Sequence, residues 1–197
     1  MSGKRWSAGF ALFGEVVITG ALVAVLSVPM VTALPALAAG TAHLRRHLTG
    51  ESVRVADLLR DFGAACRSLW PAALAVPAAA LILLWNLSLA QAGVIPGSGG
   101  VLAITGALLT ALAVLVLRAA DAWHPGLDAA GTVREAAERA RGDLPGSVLL
   151  AFACGMCVVF VWMLLPLALV CGGLLSLAAV GVSLRAEAAE AGPAPGD

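Results

Sequence analysis

Three stretches of this chain carry almost no charge, and each is long enough to constrain the fold by itself. They are Phe10–Gly40, interrupted only by Glu15, then Ser68–Leu117 with no ionisable residue, and Leu144–Leu184. Crossing a hydrocarbon core of ~30 Å takes about 20 apolar helical residues, because only a helix or a closed barrel satisfies every backbone group there. A soluble domain carries about 25% charged residues. Here 12% of the 197 residues are charged, 60% are hydrophobic and the mean hydropathy is +0.96. That balance excludes a disordered chain, a nucleic-acid binder and a disulfide-stapled secreted module. The fold class it predicts is all-α: a polytopic transmembrane helix bundle forming one integral membrane domain over residues 1–197.

Breaks within the tracts set the number of spans. The first would reach about 46 Å at ~1.5 Å per residue, which predicts one tilted or kinked helix. Pro29, Pro35, Pro77 and Pro166 are the expected kink positions, since each removes a backbone donor and crowds the preceding turn. In the second tract the run from Gln91 to Gly100, with Pro96-Gly97 and Gly99-Gly100, reads as a turn between helices near Trp70–Ala90 and Val101–Leu117. The third should break around Pro166 and Cys171-Gly172-Gly173, giving helices near Ser147–Leu165 and Leu169–Leu184. Five spans follow, or four if the last tract is one long bent helix.

Arginines fix the expected orientation. Arg45, Arg46, Arg54, Arg60 and Arg67 lie in the connection 41–67, and Arg118, Arg134, Arg139 and Arg141 in the connection 118–146. Both connections are therefore placed on the cytoplasmic side of the cell membrane, with the N-terminus outside and a flexible cytoplasmic tail at 186–197. Lys4 and Arg5 oppose this assignment and are outnumbered. The two connections also resemble each other. Arg60-Asp61 aligned on Arg134-Glu135 brings Arg67 onto Arg141 and Pro71 onto Pro145, with apolar residues at matching helical spacing. An internal duplication is expected, with units near 10–90 and 101–165. Each unit carries a basic amphipathic helix lying along the inner membrane surface, the first starting near Ser52 and the second at a Thr132–Glu135 capping box. Leu58, Leu59 and Phe62 should embed the first copy more firmly in lipid.

Few groups in the spans can carry chemistry. Cys154 and Cys157 form a C-x-x-C spacing, but about nine residues deep in a span a thiolate is disfavoured, and the pair reads as a helix-packing face. Membrane thiol oxidoreduction is accordingly the weakest of three functional readings. Glu15 near the outer interface reads as a solvated surface carboxylate. Asn86 is expected to make an intramembrane polar contact between helices, while His43 and His47 read as a wet interfacial pair and Trp123 as a headgroup-level anchor. No metal-ligand cluster, nucleotide loop or paired catalytic acids are legible, so no cofactor is expected and the chain reads as a non-enzyme. Membrane lipids, partner proteins or a second copy of the chain are the partners such a surface implies. The eight arginines that could dock them are Arg45, Arg46, Arg54, Arg60, Arg67, Arg134, Arg139 and Arg141.

The run Leu26-Ser-Val-Pro-Met-Val-Thr-Ala-Leu-Pro-Ala-Leu-Ala-Ala39 resembles the first-span signature of the YesL-like family of bacterial integral membrane proteins. The segment from Gly50-Glu51 through Asp57, Arg60, Asp61 and Phe62 to Arg67 and Trp70 is similar to that family's amphipathic connection. The resemblance covers about a third of the chain. It implies an accessory role beside the membrane components of a carbohydrate ABC importer, with no catalytic residues to carry over. A small-molecule carrier or channel built from parallel repeats is the alternative.

Overall fold

The computed structural model describes residue 14 and residues 16–49, 54–92, 97–163 and 168–190, and among these it is helical with no strand. The helices are α1 (Val16–Leu26), α2 (Ala33–Leu48), α3 (Val55–Ser68), α4 (Trp70–Gln91), α5 (Ser98–Ala122), α6 (Ala129–Gly142), α7 (Leu144–Met163) and α8 (Ala168–Glu190). A single 3-10 turn, Met30–Thr32, precedes α2. Two helices, α4 and α5, are long and apolar enough to cross a membrane, and a third crossing follows if α6 and α7, bent by 105° at their junction, are taken together.

The first tract is not one kinked helix. Pro29 sits in a true break, where the Thr32 hydroxyl donates to the carbonyls of Leu26 and Pro29. Beyond it the chain doubles back: Thr19 and Val23 of α1 lie against Gly40 of α2, where an added Cβ would come within 2.6 Å of the Val23 side chain. A kinked helix would hold Thr19 and Gly40 far apart, whereas two antiparallel arms bring them level. Pro35 falls in the first turn of α2, where its missing N–H has no intrahelical partner to lose, so it kinks nothing. Helix α4 runs through Pro77 as one 22-residue element. Pro166 lies outside the described residues, as do Glu15 and the Ser52 start expected for the first amphipathic helix.

Small residues let the central helices approach closely. Ala36, Ala38, Ala39 and Gly40 of α2 are buried, and a Cβ on Gly173 of α8 would collide with the α1 backbone at Val16. One core cluster joins Leu34 and Ala38 of α2 to Ala65 of α3, Ala120 of α5, Trp123 and Ala136 of α6. A second joins Leu117 of α5, Leu150 of α7 and Val182 of α8. The outer faces carry Leu81, Ile82 and Trp85 on α4, Ile104 on α5 and Phe152 on α7, all exposed as a hydrocarbon-facing surface requires.

The two short helices exist and are amphipathic in sequence, but they start differently from the pattern. Helix α6 begins a turn before Thr132: Asp128 accepts a 3.0 Å bond from the Gly131 amide as N-cap, and Thr132 bonds back to the Asp128 carbonyl. Asp and Ser or Thr compete for the same capping role, and the earlier residue wins because it also ends the Pro125-Gly126 turn. Helix α3 begins at Val55, with the Arg54 amide donating to Asp57 at 3.2 Å. Residues 186–190, assigned by sequence to a flexible tail, continue α8.

Candidate functional site: the charged end of the bundle

The C-terminal ends of α2, α5 and α8 and the corner between α6 and α7 meet at one end of the molecule. Their ionisable side chains interlock there. Asp121, in the last turn of α5, is 2% exposed at its side chain and is gripped from two sides. Arg45 of α2 reaches its Oδ1 at 3.1 Å and Arg139 of α6 its Oδ2 at 3.2 Å. Ser183 of α8 donates to the same Oδ1 at 3.2 Å while accepting from Arg45 at 2.8 Å. Arg45 also pairs with Glu187 at 3.0 Å, and Arg139 with Glu135 at 2.5 Å. One carboxylate thus ties four helices together.

A second knot lies beside it. Arg118, whose side chain is 4% exposed, donates to Asp143 Oδ2 at 3.0 Å and to the Asp143 carbonyl at 3.2 Å. Asp143 simultaneously caps α7 by accepting from the Gly146 amide at 2.9 Å and pairs with Arg185 at 3.4 Å. A side chain at Gly146 would strike both Asp143 and Arg118, which explains glycine at that position. Burial favours protonation of Asp143, but the bonds from Arg118 and Gly146 and the charges of Arg118 and Arg185 outweigh it and hold the carboxyl below its usual range. Burial likewise opposes the charge on Arg45, and Asp121 and Glu187 more than offset it, raising its pKa. Arg46 closes a third pair with Asp61 of α3.

The arginines assigned by sequence to docking therefore divide. Arg45, Arg46 and Arg139 are engaged inside the bundle. Arg54, Arg60, Arg67, Arg134 and Arg141 are exposed; Arg60 and Arg134 make only helix-surface pairs with Asp57 and Glu138, and Arg54, Arg67 and Arg141 make no ion pair among the described residues. Asp121, Asp143, Ser183 and Glu187 carry the site and were not singled out by sequence. The signal available was the charge balance: 12 basic and 12 acidic residues with the arginines clustered in two connections. Acids in those same connections must neutralise part of the cluster.

Other expected positions are corrected. Asn86 is exposed and donates to the Ile82 carbonyl of its own helix at 3.1 Å, so it joins no second helix. His43 is buried at 1% exposure rather than wet. Trp123 is no headgroup anchor: its ring is buried and its indole N–H donates to Ser68 Oγ at 2.9 Å, fastening the end of α3 to α5. Leu58 is fully buried in protein, not embedded in lipid. Cys154 packs against the cluster of α5, α7 and α8, and Cys157 is buried. No group of three or more His, Cys, Asp or Glu residues could hold a metal among the described residues. No protein-family model, no curated protein and no solved structure matches the chain.

Proposed function

We propose that this chain is a non-enzymatic integral membrane accessory or assembly subunit, working beside the membrane components of a carbohydrate ABC importer. The observation that carries the accessory role is the division of the arginines. Internal pairs tie the charged end together, and α3 presents unneutralised Arg54 and Arg67 outward from it. An end of that kind suits docking to an acidic protein surface. The sugar-importer assignment rests on the resemblance of residues 26–39 and 50–70 to the YesL-like family. Purification of the full-length protein from native membranes in gentle detergent tests it: importer subunits should co-purify, and sugar uptake should fall on deletion. Recovery of the protein alone, with uptake intact, would overturn the proposal.

The charged end faces the cytoplasm in this reading, and α2, α4, α5, α7 and α8 supply five crossings. Duplication gains support from layout. Helix α3 packs on α2 as α6 packs on α5, buried Leu58 corresponds to buried Thr132, and Asp61 and Glu135 correspond in each holding an arginine. The carrier reading is weaker, since Asn86 bonds its own helix and Asp121 is sealed among its partners. Thiol oxidoreduction is weaker still, with the Cys154 and Cys157 side chains in packing positions.

A further inference from the structure

Two apolar grooves flank α6, and Ala137 lines both. The first, about 600 Å³, lies between α5 and α7, with Ala107, Ala111, Leu115 and Ala151 along its length and the exposed Arg141, near the C-terminal end of α6, in its lining. The second, about 750 Å³, lies between α4 and α6, with Trp70, Val133 and Arg134 along it. Their charge differs. Arg134 is paired with Glu138 at 3.0 Å and Asp128 also lines that groove, so its cation is cancelled. Arg141 is the one ionisable residue lining the first groove, is exposed, and makes no ion pair among the described residues.

We infer that the α5–α7 groove is a binding site for one anionic phospholipid of the inner leaflet, its acyl chain between the helices and its phosphate on Arg141. Length supports this: Leu115 to Ala107 covers about 12 Å at ~1.5 Å per residue, most of the ~15 Å depth of one leaflet's hydrocarbon. Small side chains on both walls leave a chain-wide channel instead of interdigitated packing. At Arg141, an unpaired guanidinium donates bidentately to a phosphate oxygen pair, and a zwitterionic headgroup brings its own competing cation. The site rests on α5 and α7 standing in the membrane, not on the accessory role, so either can fail alone.

The test uses full-length protein in mixed micelles containing equal phosphatidylglycerol and phosphatidylcholine of the same chains, with retained lipid quantified after purification. Wild type should favour phosphatidylglycerol, and Arg141→Gln should reduce that preference about fivefold, the value of one arginine near an anionic surface. Arg134→Gln should leave it unchanged. Ala111→Phe fills the groove from an exposed position that tolerates bulk, and should lower retention of both lipids. Free glycerol phosphate should not displace the lipid. An unchanged preference in Arg141→Gln, unchanged retention in Ala111→Phe, or displacement by glycerol phosphate alone would each overturn the site.

Discussion

Helices α3 and α6 have equal length and similar sequence positions, yet they are fastened to the bundle by different forces. On α3 the buried face is Leu58 and Ala65, with Asp61 reaching Arg46 at its margin. On α6 it is Thr132 and Ala136, too small to supply much apolar area, and the helix is held by Arg139 on Asp121 and by the Asp128 cap. Apolar burial contributes in proportion to area at roughly 25 cal/mol per Å², so α3 needs few polar ties. A helix of alanines must use charges instead. Two helices can thus share an amphipathic pattern while one depends on packing and the other on a single buried carboxylate.

Removing that carboxylate should have the largest effect. Asp121→Ala removes the bonds from Arg45, Arg139 and Ser183 at once, leaving the two partly exposed arginines with Glu187 and Glu135, and loss of several bonds to one buried charged group should cost about 3 kcal/mol. Thermal unfolding of the purified protein should show a large drop, with hydrogen exchange rising in α6 before α3. Equal loss of protection in both helices would break the contrast. Leu58→Ala is the converse experiment, costing about 2–3 kcal/mol through the cavity left in a fully buried site. Its exchange should rise in α3 and leave α6 protected.

What could be read in the sequence follows the same divide. The apolar shaft was legible because hydrocarbon imposes length and continuity on a helix, and α4 and α5 are separate helices with Gly97, at φ +81°, leading into α5 as a glycine at a turn should. Asp121 was not, because a lone acid at the end of an apolar run looks like any solvated helix terminus. Only the convergence of α2, α6 and α8 on that terminus makes it a hub. The doubled-back first tract escaped for a related reason: Pro29 announces a disturbance, but whether the chain bends or reverses depends on Gly40 and Gly173 offering surfaces for α1 to lie on.

Smaller perturbations sharpen the comparison. Asp128→Ala removes the cap of α6 and should cost about 1 kcal/mol. Its counterpart Asp57→Ala should cost less, since the bond it makes to the Arg54 amide is longer. Acid should also discriminate between the two regions. The depressed pKa of Asp143 means its contribution is complete above the ordinary carboxylate value of about 3.9 and is lost as pH falls through the lower folded value. The raised pKa of Arg45 contributes at every pH below the ordinary arginine range, so it adds no transition near neutrality. Exchange at the α6–α7 corner should therefore accelerate below about pH 4, ahead of the apolar contacts of α3. A corner that stays protected there would show that Arg118 and Arg185 are not what holds it.

The smallest expected effect on stability separates fold from function. Arg60 and Arg134 occupy corresponding positions, are more than 80% exposed at their side chains, and pair only along their own helices. Such pairs contribute at most about 0.5 kcal/mol, so Arg60→Gln and Arg134→Gln should each leave the unfolding midpoint almost unmoved. The surface proposed to dock a partner is carried instead by Arg54 and Arg67, which are exposed and make no ion pair among the described residues. The double variant Arg54→Gln with Arg67→Gln should therefore retain its stability and its lipid preference while losing co-purifying subunits, because it alters a docking surface without touching the Asp121 hub or Arg141. Loss of stability instead would mean that these arginines belong to the fold, and that the outer surface of the charged end is not free to serve a partner.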